Sequence, residues 1–424
     1  MVNVQPPLII SKELIEPSSP TPHHLKYFNL SLLDQLSPNF YLPMMMLYPK
    51  TDINTDDITN ILKKSLSETL TLYYPFAGRP GSKGVIECND NGVEFFVARV
   101  NCKLSEILEK TEPQTIDMFY PEGVLWNESY KGSLLVVQVT FLNCGAVAIS
   151  NCLLHKIADG GTVASFLWDW ASLARNSGLN VPSPHFISKS LVPPSDPPIV
   201  REITKIEKFD DCVTRRFIFD ASKLAHLKAM LTKLGVSNPS RVELVGAIIY
   251  KCFMTANFKA MGESSRPYLF IQPVNLRPRT VPPVPANSVG NFSWFSTVMV
   301  KNEKEKELHS LVTAMKTGMA QFNDRFGKNK TSNECYAMIC DMMKHMMNKS
   351  MSDECNVYKG TSLCRFPFDD IDFGWGKPVW AGPCSSVISN TFVLKDAPDF
   401  GIEAWVTLRE EEMGFFASEV VALF

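Results

Sequence analysis

His155 and Asp159 stand four residues apart in Leu153-Leu154-His155-Lys156-Ile157-Ala158-Asp159-Gly160-Gly161, the stretch of this chain best equipped for chemistry. An imidazole changes charge near neutral pH, which suits it to taking a proton from an alcohol or a thiol. A strand-end histidine also serves as a core residue satisfied by a backbone carbonyl. The spacing alone does not separate the two. Asp159 has two roles open to it: holding the imidazole tautomer, as in a triad, or pairing with an arginine to fix the turn. Far downstream, Asp372-Phe373-Gly374-Trp375-Gly376 sets a carboxylate and an indole among glycines. The Trp375 N–H can donate to a developing oxyanion, or the ring can simply pack. Two other nucleophilic schemes are disfavoured. The chain has no Gly-x-Ser-x-Gly elbow, and Cys152, three residues before His155 on a strand, points to the opposite face.

The elements that must position these groups follow from periodicity. Leu134–Phe141 and Ala146–Cys152 flank Asn143-Cys144-Gly145 and read as a β-hairpin that ends at the histidine. Residues 162–175 have helical spacing, with Thr162 as the expected N-cap. Upstream, 8–16 and 41–49 read as strands, 56–70 as an amphipathic helix, and 104–108 as a short one. Residues 110–130 look loop-rich. Asn89-Asp90-Asn91-Gly92 predicts a hairpin turn between 85–88 and 93–100. Prolines at 182, 184, 193, 194, 197 and 198 interrupt the pattern and mark a boundary. The expected units are therefore an N-terminal domain 1–185, a crossover linker 186–212 and a C-terminal domain 213–424. In the last of these, 214–220, 268–274 and 292–300 read as strands. Residues 221–234, 240–253, 302–326 and 331–349 read as helices. Strands are expected near 371–373, 387–394 and 401–408, before a final helix 413–424. Strands and helices mix in both halves with no phosphate-loop series, which predicts two α/β sandwich domains rather than a dinucleotide fold.

Composition narrows the function classes. The chain has 424 residues, 45% apolar and 20% charged, enough for two or three cored domains. A net charge of −2 argues against a broad nucleic-acid footprint. Eleven cysteines are scattered without Cys-x-x-Cys or zinc spacing, so reduced thiols and no metal are expected. The N-terminus lacks a secretory pattern and no apolar run reaches spanning length, so the expected location is cytoplasmic, without membrane association. The sequons at Asn29, Asn127 and Asn348 are then expected to stay unmodified.

His155-Lys156-Ile157-Ala158-Asp159 together with Asp372-Phe373-Gly374-Trp375-Gly376 resembles the paired signatures of the plant BAHD acyltransferases. Tyr74-Pro75-Phe76-Ala77-Gly78-Arg79, Asn275-Leu276-Arg277, Val289-Gly290-Asn291-Phe292 and Gly401-Ile402-Glu403-Ala404-Trp405 match too. The opening, with Leu30-Ser31-Leu32-Leu33-Asp34-Gln35, is similar to the branch of alkaloid acetyltransferases. The resemblance covers nearly the whole chain. It implies two chloramphenicol-acetyltransferase-like α/β domains, each a mixed sheet with helices, with a tunnel at their interface. It implies acyl transfer from an acyl-CoA, acetyl-CoA above all, to an alcohol of a specialised metabolite, by a monomer with no permanently bound cofactor. His155 is then the general base, and Asp159 turns away from the cleft. Asp372, with Gly374 and Gly376, forms an ordered loop whose carboxylate pairs with an arginine, for which Arg277 is the candidate. Gly160 and Gly161 either let the coenzyme arm approach the backbone or supply a turn conformation. Ser240 and Arg241 at a helix start, with Lys395 and Asp396, are the candidate coenzyme contacts.

Overall fold

The computed structural model describes all residues except 1–4, 83, 110–112, 127–131, 177–180, 198–210, 263–265 and 351–354. Two six-stranded sheets form its framework. In the first, the order is Leu8–Ile15, Val93–Val100, Leu135–Leu142, Val147–Leu154, Tyr41–Tyr48 and Trp380–Gly382. Every residue of Leu135–Leu142 and of Val147–Leu154 is buried, which is why both read as continuous apolar runs rather than alternating ones. The second sheet runs Ser293–Val300, Tyr268–Asn275, Asn356–Ser362, Thr391–Asp396, Ile402–Arg409 and Cys212–Phe219. The helix Arg241–Met261 packs behind it, capped by Ser240.

The expected hairpin holds: Val139 pairs with Ile149 and Phe141 with Val147 in an antiparallel ladder. The helix after it spans Gly160–Arg175, and its N-cap is Asp159, not Thr162. The carboxylate at the cap accepts the Thr162 N–H at 2.9 Å. The hairpin read at Asn89–Gly92 does not form. Val85–Glu87 joins a three-stranded sheet with Tyr27–Asn29 and Arg79–Pro80, while Val93–Val100 goes to the first large sheet. Asp90 instead ties the segment down by accepting from the Thr21 N–H at 3.0 Å and from the Lys26 ammonium at 2.8 Å.

Two further readings change. No strand forms at 371–373; the strand there is Trp380–Gly382, and Asn356–Ser362 is a strand the periodicity did not announce. Trp380–Gly382 pairs with Leu47–Met45, so the chain returns from the second half to close the first sheet. Phe368, Ile371 and Phe373 accordingly sit in the core of the first half. The Asp372–Gly376 motif therefore packs with the N-terminal unit, although a boundary at 212 assigns it to the C-terminal one. Part of the expected linker, 198–210, lies outside the described residues; of the rest, Ser188–Leu191 is a short helix and the strand Cys212–Phe219 begins at its end.

Candidate active site

His155 lies one residue beyond the strand Val147–Leu154, and its N–H still donates to the Phe40 carbonyl at 2.8 Å. The ladder thus carries on one step past the strand and fixes where the imidazole starts. The half-buried ring lines a cavity of about 360 Å³ between the two sheets. Phe40, Leu42 and Met44 line it from the first sheet's side, and Ile271, Phe295, Phe392 and Trp405 from the second. The Phe40 ring stands edge-on to the imidazole at 5.8 Å.

The carboxylate of Asp159 does not reach for the ring. Its Oδ2 accepts from Arg277 Nη1 at 2.8 Å and from the Phe292 N–H at 2.9 Å. Its Oδ1 accepts from Arg277 Nη2 at 2.9 Å as well as from Thr162. Burial would push this carboxyl up, but the guanidinium and the converging N–H groups hold it below the ordinary range. Arg277 is itself 3% exposed and also donates to the Ser288 carbonyl at 2.9 Å. A Cβ on Gly161 would lie 2.7 Å from Arg277 Nη1, so this glycine makes room for the ion pair. Neither Gly160 nor Gly161 adopts a left-handed backbone, so the turn-conformation account of them does not apply. Gly160 lines the cavity opposite Leu363 and Phe366.

The orientation of His155 comes from residues the sequence reading had not assigned a role. Asn291 Nδ2 donates to the His155 carbonyl at 2.8 Å and to Asp34 Oδ1 at 2.9 Å. Both partners are acceptors, so the amide cannot be turned round. Its Oδ1 therefore faces His155 Nδ1, 3.1 Å away, and accepts a hydrogen bond from the Nδ1–H. Nδ1 is the protonated nitrogen of the neutral ring, and the lone pair is on Nε2. Asp34 is 0% exposed and also accepts from the Asn291 N–H at 2.7 Å and the Ser31 hydroxyl at 2.6 Å. The Ser-x-x-Asp capping box at Ser31–Asp34 and the Gly290-Asn291 pair were visible in the chain, but nothing local links them to His155. Replacing Asn291 by alanine frees the ring to change tautomer. We expect kcat to fall by about 10- to 100-fold, the scale seen when a metal-bound imidazole loses its orienting partner, with melting temperature and acyl-donor KM little changed; steady-state kinetics beside a thermal melt checks this.

The other candidates fall elsewhere. Asp372 does not meet Arg277. Its Oδ1 accepts from the N–H groups of Gly374 and Gly376, at 2.7 and 2.9 Å, and its carbonyl accepts from Arg175. Gly374 and Gly376 have φ of 114° and 99°, which glycine tolerates and other residues resist. Arg277 was unavailable because Asp159 already binds both of its terminal nitrogens. Trp375 stacks on Phe373 at 5.8 Å and is not among the residues lining the cavity. That geometry supports packing and removes the basis for an oxyanion role. Ser240 is occupied as a helix cap: its Oγ accepts from the Glu243 N–H at 3.2 Å, and its N–H donates to Glu243 Oε2 at 2.8 Å. Lys395 is 7% exposed, its ammonium 3.9 Å from both Asp369 and Glu403, so it faces inward rather than toward a solvent-borne phosphate. Arg241 and Asp396 pair with each other at 2.9 Å.

Two α/β layers enclose an apolar cavity, with His155 on its wall. Residues 8–423 match the Transferase family, described as such. The chain is 38% identical over 415 residues to 17,18-epoxy-17-hydroxycur-19-ene N-malonyltransferase of Strychnos nux-vomica, covering 97% of this chain and 88% of that protein. It is 39% identical over 411 residues to akuammiline synthase 1 of Alstonia scholaris, covering 96% and 94%. The crystal structure of vinorine synthase superposes with a TM-score of 0.85 at 32% identity, covering 98% of each chain. The chain belongs to this family, the BAHD acyltransferases. It is an acyl-CoA-dependent acyltransferase, with the acyl-CoA as co-substrate.

Proposed function

We propose that this enzyme transfers an acetyl group from acetyl-CoA to a hydroxyl of a bulky plant alkaloid or terpenoid, with both substrates in the cavity at once. The observation that carries this is the His155 ring: it lines the cavity between the sheets, and Nδ1 is committed to Asn291, which leaves the lone pair on Nε2. Nε2 takes the hydroxyl proton as the oxygen attacks the thioester carbonyl, and returns it to the departing thiolate. No acyl-enzyme is required. The nearby thiol of Cys152 is fully buried, and burial pushes its pKa well up, so it stays protonated. The aromatic and aliphatic walls fit a rigid polycyclic acceptor. Transfer of a malonyl group, or transfer to an amine nitrogen, is a second reading, favoured by the named activity of the Strychnos relative. A cytoplasmic monomer is the working form we assign. Among the described residues no helix is long and apolar enough to cross a membrane.

The test is ester formation from labelled acetyl-CoA with a panel of alkaloid and terpenoid alcohols, run across pH. Burial lowers the imidazole pKa below 6.5, opposed by its hydrogen bonds and the Asp159 charge. A base with a lowered pKa keeps its lone pair into mildly acid solution. We therefore expect kcat/KM to stay level through neutral pH and to fall, by one proton, only below pH 6.5. An acid limb centred above pH 7 contradicts a neutral His155.

A further inference from the structure

One wall of the catalytic cavity is a tryptophan held by a buried carboxylate. Side chains alternate along the strand Ile402–Arg409, so Glu403, Trp405 and Thr407 share a face. Trp405 and Thr407 line the cavity, whereas Glu403 is not among the lining residues. Glu403 is 1% exposed, and its Oε1 accepts from Trp405 Nε1 at 2.6 Å and from Trp380 Nε1 at 3.4 Å. Its Oε2 accepts from Arg216 Nη2 at 3.0 Å. Both indoles are buried, with ring centroids 5.8 Å apart.

The donors come from both sheets. Trp380 belongs to the short strand that closes the first sheet, while Arg216 and Trp405 are paired on neighbouring strands of the second. A Cβ on Gly382 would lie 2.4 Å from the Trp380 ring, so this glycine makes room for the indole. A buried ion is costly, and apolar residues of similar size would pack as well or better. What the carboxylate adds is direction: a charge-assisted bond fixes where each indole points.

We propose that Glu403 is a positioning residue for the acceptor. It fixes the Trp405 ring on the cavity wall and, through Trp380, ties that wall to the sheet that carries His155. The cavity is thereby held to the shape of a rigid polycyclic alcohol. Glu403 touches no substrate and acts through Trp405. The proposal rests on the acyl-transfer reading of the site.

Acceptors of different rigidity test it. For Glu403→Leu we expect KM for the best polycyclic alcohol of the panel to rise about tenfold, the scale of ordering one loosened side chain on binding. KM for acetyl-CoA and for geraniol, a flexible acyclic alcohol that does not need the wall, should stay near wild type. Glu403→Gln keeps an oxygen for the indoles and should restore most of the loss. Trp405→Phe removes the N–H and should lose the same selectivity. Adding Glu403→Leu to it should cost little more, because the two residues act as one unit. A polycyclic KM near wild type in Glu403→Leu overturns the proposal. So do additive losses in the double variant, or KM values for donor and both acceptors that rise together. Should Glu403→Leu fold poorly, pairing it with Arg216→Met removes the stranded guanidinium and carries the same test. If the wild type esterifies nothing, its indole N–H resonances follow binding of the two alcohols instead. A wild-type preference for the polycyclic alcohol that Glu403→Leu loses then leaves the role in ligand selection standing and removes only the reaction; equal binding of the two overturns the role.

Discussion

His155→Ala is expected to lower kcat by about a thousandfold, the middle of the range a positioned general base contributes. The protein should still fold. The ring is half-buried at the cavity wall, and the hydrogen bonds of its backbone, to Phe40 and from Asn291, survive the substitution. KM for acetyl-CoA should move little, since the base acts in the transition state rather than in donor binding. Labelled-ester assays with a thermal melt as control make the comparison. A variant that forms ester at the wild-type rate would show that the proton leaves by another route.

Arg277→Ala should have the largest effect on stability, about 3–5 kcal/mol, because it strands a buried carboxylate. Asp159 is 6% exposed and keeps only two backbone N–H donors once the guanidinium is gone. Against the 5–15 kcal/mol that usually holds a folded protein together, such a loss is severe. Reduced soluble yield and a much lower denaturant midpoint are the expected readouts. Replacing both partners at once, Asp159→Leu with Arg277→Met, should recover part of the loss, since no lone charge remains. If Arg277→Ala melts like wild type, the ion pair is not what fixes the turn bearing His155.

Much of this site could be read in the chain, and the parts that could not share a cause. The hairpin into His155 follows from two continuous apolar runs about a turn, and the helix out of Asp159 from apolar residues at period 3.6, which are local signals. The partner of Asp159 is 118 residues away, and a carboxylate and a guanidinium carry no mark of which one they will meet. Arg277 was thus assigned to Asp372, whose real partners are two N–H groups of its own loop. The Asn89–Gly92 turn misled for the opposite reason. Its local preference is genuine, but the flanking segments gain more by joining different sheets. Asn291 and Asp34 are ordinary polar residues by type, and only their 136- and 257-residue spans across the fold make them an orienting pair.

The pairing of Trp380–Gly382 with Leu47–Met45 has a bearing on biogenesis. While the chain is being made, the Tyr41–Tyr48 edge has no neighbour on one side until residue 382 has left the ribosome. An apolar strand with unpaired N–H and C=O groups is sticky during that interval. The sheet that carries the base therefore cannot mature as an N-terminal unit ahead of the rest. Its completion is a late, long-range event in synthesis.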